Sequence, residues 1–154
     1  MSLWVIYAVL AAVAAAAVGV FSKIGIAGVD ASVATAIRGV VIAFMMGGIT
    51  LYFGKITEIS SIPSKSLFFI ALTGIAGGLS WLWGFLALKL GGEASAVNAI
   101  DRLSLVMLVF FAALFLGEHL TWNKILGAIL VSVGVFLMTI KPEVLSALVE
   151  RLRI

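Results

Sequence analysis

The sequence predicts an all-α fold: a polytopic membrane bundle of five transmembrane helices, followed by a short C-terminal interfacial helix. Three observations carry this. First, 64% of the 154 residues are hydrophobic and only 11% are charged. A water-soluble domain of this size needs many more charged groups on its exterior. Second, the apolar residues fall into separate runs of about 20, the length a helix needs to cross a bilayer core. Third, aromatic and lysine residues gather at the ends of those runs, as they do at membrane interfaces. Residues 1–141 form one membrane domain and residues 142–154 an amphipathic tail.

The first run, Leu3 to Ser22, is uncharged and rich in alanine. Small residues let helices approach closely in lipid, so neighbours are expected on several sides. The stretch lacks the basic start of a signal peptide and exceeds the usual apolar length of one, so a retained first helix is expected. Gly28 and Asp30 make the next turn, with Asp30 or Ser32 as helix cap. The second run spans Ala31 to Phe53 and carries Arg38 two turns inside. Gly54 to Ser66 is the longest polar connection, with Pro63 suited to a first helical turn and Ser64 to a cap.

The third run, Leu67 to Leu88, contains Gly74 and Gly78 as a GxxxG pair. That pattern marks a face for close helix approach, with packing inside the chain favoured over dimerisation. Trp81, Trp83 and Phe85 follow, either as an interfacial belt or, for Trp81, as a ring offered to a cationic or planar ligand. After a turn at Lys89 to Glu93, the fourth run covers Ala94 to Leu116 and the fifth Thr121 to Ile140. Gly127 and Gly134 give the fifth helix its own small-residue packing face. Pro142 opens the tail, whose leucines share one side; it reads either as a helix lying in the interface plane or, equally, as a partly frayed end.

Several functions lose support at once. The net charge of +3 is scattered, so no nucleic-acid partner is expected. No cysteine is present, which removes thiolate chemistry and cysteine-based metal sites. The lone His119 beside Glu118 has no second ligand or nucleophile near it in the sequence, so neither an enzyme nor a metal or cofactor site is expected.

The charges inside the runs are the candidates for function. An ionisable group there costs about 2.5–3.5 kcal/mol on insertion scales, so it usually faces a bundle interior or water. Arg38, Asp101 and Arg102 qualify. Arg38 lies seven residues past Ala31, and Asp101 lies seven past Ala94. Both runs start from the same face, which puts the two charges at one depth, about 10 Å along their helices. Lys23 is on that side, and Asn98 adds a polar group. One reading is a structural ion pair with Arg102 and Lys23 snorkelling to the interface. The other is a gating or coupling site made of Arg38, Asp101, Arg102, Asn98, Trp81 and Lys23.

The order of residues is similar to a known family. Ser80-Trp81-Leu82, then Ala87 to Gly91, Ala94-Ser95-x-Val97, Ile100-Asp101-Arg102-Leu103-Ser104 and Phe115-Leu116-Gly117-Glu118-x-Leu120-Thr121 resemble the EamA domain of the drug/metabolite transporter superfamily. Family members often carry proline just before the Ile-Asp pair. Ala99 stands there, so a kinked or broken helix at that point loses its usual cause. The resemblance implies a secondary transporter of a small molecule, working by alternating access. It also implies that this chain is a single five-helix half, which would have to dimerise.

Charge counting bears on the geometry of such a homodimer. Lys55, Lys65 and Lys124 lie on the face with the N-terminus; Lys23, Lys89 and Lys141 lie on the other, with Arg151 and Arg153 in the tail. So small a bias sets orientation weakly, so dual insertion, with an antiparallel pair in the cell membrane, is favoured over the other reading, a single orientation with the tail inside. The competing function is an accessory or assembly subunit whose small-residue faces bind another polytopic protein.

Overall fold

The computed structural model describes residues 2–140 and residue 144. Every regular element among them is helical. Five helical segments are long and apolar enough to cross a membrane: Leu3–Gly25, Ala31–Tyr52, Ser64–Lys89, Ala94–Leu116 and Trp122–Thr139. The expected interfacial helix of residues 142–154 lies outside the described residues. The chain divides into two compact units, Met1–Gly92 and Glu93–Ile154.

In the first unit, α1 (Leu3–Gly25) runs through an alanine-rich stretch with no proline to interrupt it. It ends where the Ile26 N–H donates back to the Ser22 carbonyl, 3.0 Å away. α2 (Ala31–Tyr52) starts at Asp30, whose carboxylate accepts the Ser32 N–H at 2.9 Å. That satisfies one of the orphan donors of a helix start, as expected from the Asp30/Ser32 pair. Gly54 then takes φ +65, a left-handed conformation that side chains resist. The long connection is not unstructured: Lys55–Ser61 forms a 3-10 helix. The hydroxyls of Ser60 and Ser61 donate to the carbonyls of Thr57 and Glu58, supporting its tight turns locally.

α3 (Ser64–Lys89) begins one residue after Pro63. The expected roles of these two residues are therefore shifted. Pro63, in extended conformation, occupies the cap position, and Ser64 is the first helical residue. A proline just outside the helix costs no intrahelical bond, since it lacks only an N–H. α3 packs against both α1 and α2.

In the second unit, α4 (Ala94–Asp101) and α5 (Leu103–Leu116) are interrupted at Arg102, and both pack on α6 (Trp122–Thr139). The interruption occurs without proline. The Arg102 N–H is shared between the carbonyls of Asn98 at 3.3 Å and Ala99 at 3.0 Å, and Leu105 N–H reaches back three residues to Arg102 at 3.0 Å. The ladder thus tightens for one turn from four-residue to three-residue spacing. α5 closes at Gly117, φ +69, with the Glu118 N–H bonded to the Ala112 carbonyl at 3.2 Å. That is the geometry of a glycine-terminated helix end. Thr121 is at the start of α6 as expected, but its hydroxyl makes no capping bond.

Among the described residues, few side chains are buried: Ile26, Ala31, Phe85, Leu88, Ala99, Ala112, Ala128 and Val135, all apolar. Large aromatics point outward, with Phe44 79% and Phe115 75% exposed. In water this would be an aggregating surface; in hydrocarbon it is the matched one. Polar side chains within the helices answer to lipid in the same way. The hydroxyls of Thr35, Thr50 and Ser132 and the amide of Asn98 all donate to carbonyls one turn back, at 2.7–2.9 Å. A donor spent inside its own helix needs no water.

Candidate functional site

Arg38 is the one ionisable residue well inside the membrane segments of the first unit. It sits on α2, half-buried, and its guanidinium carbon lies 4.3 Å from the centre of the Trp81 ring on α3. A cation over an indole face is attracted by the ring quadrupole, by about 0.5–1 kcal/mol in water and about 2 kcal/mol or more where water is excluded. The unit has two carboxylates, and both are committed elsewhere. Asp30 pairs with Lys89 at 3.3 Å, and Glu58 pairs with Lys55. No carboxylate of Met1–Gly92 lies within ion-pair distance of Arg38.

This arrangement changes the meaning of Trp81. The sequence leaves two readings, an interfacial belt or a ring open to a cationic or planar ligand. The structure places the protein's own cation on it, which repels a second one. The register that joins the two residues is simple. Asp30 and Arg38 are eight residues apart on one helix, and Lys89 and Trp81 are eight apart on an antiparallel neighbour. The surface ion pair and the half-buried cation–π contact are two rungs of one ladder.

Lys23 closes the end of the same unit. Its ammonium donates to the Gly92 carbonyl at 2.6 Å and the Leu88 carbonyl at 3.3 Å. The Leu88 carbonyl, which also accepts the Gly91 N–H at 3.3 Å, is in the last turn of α3 and the Gly92 carbonyl is just beyond it, where a cation meets the negative end of the helix dipole. At the adjacent turn, hydrogen bonds from the Ser32 side chain and backbone, then from Lys89, hold the Asp30 carboxyl down to about 2 from 3.8. Lys23, Lys89 and Asp30 therefore pin three chain segments together at one membrane boundary.

Between α1 and α2 there is a cleft of about 320 Å³. Phe21 and Ser22 of α1, Ile37 and Arg38 of α2, and Phe85 of α3 line it. Arg38 is the one charged group in its wall, against a lining that is otherwise mostly apolar.

The second unit carries the remaining sequence candidates. Asp101 ends α4, Arg102 is the interruption, and both are exposed. Among the described residues of that unit, no cation lies within ion-pair distance of Asp101; the ion pair there joins Lys124 to Glu118 at 2.9 Å. Asn98 is half-buried and spends its amide on the Ala94 carbonyl. The glycines expected to mediate packing behave uniformly. Among the described residues of its own unit, a Cβ added at Gly74, Gly78, Gly127 or Gly134 would meet no other atom within 4 Å. Packing within each unit does not use their missing side chains. The faces that do pack carry Phe85, Leu88, Ala128 and Val135.

Comparison with known proteins agrees with this architecture. A model of the EamA-like transporter family matches residues 2–140. The chain belongs to that family. It is similar to a Sinorhizobium protein named as an uncharacterized transporter in the cobO 3' region, 41% identical over 137 residues. That match covers 89% of this chain and 96% of the relative. No solved structure matches the chain. Membership of the EamA-like family and five apolar spans make it a multi-pass membrane protein and, in general terms, a membrane transporter.

Proposed function

We propose that this EamA-like chain is a secondary transporter of a small metabolite or drug-like molecule, working by alternating access as a homodimer of inverted halves in the cell membrane. The span count carries the reading. Five spans place the two ends of the membrane domain on opposite faces, which is the unit an inverted repeat is made from. The match over 96% of the relative's own length supports a single five-helix half as the unit in that relative. The near balance of Lys and Arg between the two faces supports insertion both ways.

In this reading Arg38 and Asp101, each seven residues into its span, act as gating charges, one in each unit. Trp81 holds Arg38, Lys23 holds the end of α3, and Asn98 and Arg102 border the interruption in the fourth span. The switch from four-residue to three-residue hydrogen bonding at Arg102 gives that span a local irregularity at which it can hinge.

Single cysteines at Ser60 and at the C-terminus, labelled from each membrane face in turn, test the orientation. Both sites should react from both faces. Labelling of each from one face alone removes the inverted dimer. Counterflow in liposomes tests transport itself, and Asp101→Asn and Arg38→Gln should each reduce it or its pH dependence. Full transport with unchanged pH dependence in both variants removes the gating role.

The unfilled glycine faces also fit a second reading, an accessory subunit that binds another polytopic protein. A stoichiometric, unrelated membrane protein recovered with the chain, together with no counterflow, would favour it.

A further inference from the structure

The cleft of the first unit has a chemistry that selects among substrates. We propose that it binds a soluble amphiphilic monoanion, a carboxylate on an apolar body, with the carboxylate on Arg38. The proposal deepens the transport reading by naming the substrate class of the Arg38 site.

Three features support this ligand class. The wall is apolar apart from Arg38 and the hydroxyl-bearing Ser22, so it accepts a body of hydrocarbon or aromatic character. The volume of about 320 Å³ sits at the low end for small-molecule sites and suits one ring or branched chain rather than a large drug. The charge is positive and locally unanswered. Both carboxylates of the unit are paired with lysines, and no Arg38 N–H finds an acceptor among the described residues of Met1–Gly92.

Trp81 makes this arrangement tenable without an anion. A cation–π contact does not require the N–H donors, so the guanidinium keeps its fork for a bidentate acceptor. Carboxylate geometry fits that fork, and an ammonium ligand is repelled by it. Arg38 sits about 10 Å along α2, so a ligand body reaching it leaves water before the charges meet. Little water then remains to screen the pair.

The test is binding to the full-length protein in nanodiscs of zwitterionic lipid. The probes are phenylacetate and isovalerate, each beside its amide and its amine. Both carboxylates should bind saturably, and amides and amines at least about tenfold more weakly, as expected for loss of a charge-assisted contact. Arg38→Gln should abolish carboxylate binding. Arg38→Lys, which keeps charge and loses the planar fork, should weaken it by about tenfold. Trp81→Phe keeps a ring and should retain measurable binding, and a native-like thermal transition in each variant shows that folding is not the cause. Equal binding of amines or amides, binding that survives Arg38→Gln, or no binding by either carboxylate overturns the proposal. Displacement of phenylacetate by phosphatidylglycerol in the nanodisc, lost in Arg38→Gln, would assign the site to lipid and overturn a soluble ligand. Carboxylate binding without counterflow would keep the site and remove the transport reading. Counterflow of an amine without carboxylate binding would do the reverse.

Discussion

At Arg38 the balance between cost and compensation decides what the residue can be. An arginine in a membrane span costs about 2.5–3.5 kcal/mol, and the Trp81 ring returns about 2 kcal/mol of that where water is excluded. The contact offsets part of that cost and leaves the guanidinium N–H groups free for the anion proposed above. Trp81→Ala should lower unfolding stability in detergent by about 2 kcal/mol or more, from the lost contact and the lost ring packing. Trp81→Phe should cost less, since a smaller ring face remains. Equal losses in the two variants would show that the ring face is irrelevant.

Asp30 makes a prediction of opposite character, because it is exposed. Its folded-state carboxyl titrates at about 2, against 3.8 for the free group. A depressed value stabilises the fold above pH 3.8, and that contribution disappears as pH falls from 3.8 towards 2. Wild-type thermal midpoints should fall across that window, and Asp30→Asn should flatten this part of the curve. The Asp30 cap could be read from the amino-acid order, since Asp-x-Ser before an apolar run satisfies a helix start locally. The Arg38–Trp81 contact could not, because it depends on how two helices 43 residues apart in sequence are registered.

Among the elements, Lys23 acts on α3 from outside it. Its ammonium holds the Leu88 and Gly92 carbonyls, so Lys23→Met should destabilise the first unit by about 1.5–3 kcal/mol, the usual worth of a hydrogen bond to a charged group. Lys23→Arg should recover part of it. Thermal unfolding followed by circular dichroism would measure both. At the end of α5, Gly117→Ala forces a side chain into φ +69 and should cost about 1 kcal/mol. The interruption at Arg102 is the element-level surprise. Proline is the strongest written signal for a broken helix, and Ala99 carries none. A one-residue tightening of hydrogen bonds leaves no mark in composition, since Arg102 keeps right-handed helical φ and ψ of −67 and −12. The 3-10 helix of Lys55–Ser61 is equally silent, because polar residues there read as a loop whichever turn they adopt.

For the whole molecule, the open question is what covers the glycine faces. A Cβ added at Gly74 or Gly78 meets no neighbouring atom within 4 Å in its own unit. Gly74→Leu should therefore leave monomer stability within about 0.5 kcal/mol of wild type, as surface substitutions do. If the face joins two copies, the same variant should lose the dimer in crosslinking or single-molecule counting in bilayers. A dimer that persists in Gly74→Leu and Gly78→Leu would place the interface elsewhere.

The amino-acid order by itself determined the five crossings, their limits to within a few residues, the all-helical class and the family. Each follows from composition over about 20 consecutive residues, and lipid enforces that composition residue by residue. The Asp30 cap and the absence of thiol chemistry belong to the same class of local fact. Only the tertiary structure decided that Trp81 faces a cation of its own chain, that Lys23 seals α3, and that Arg38 opens onto an apolar cleft. Those depend on the rotation and register of one helix against another. Lipid accepts almost any apolar face, so the hydrophobic pattern that orients helices in water is nearly silent here. Contacts made by a few polar and aromatic side chains set the arrangement instead.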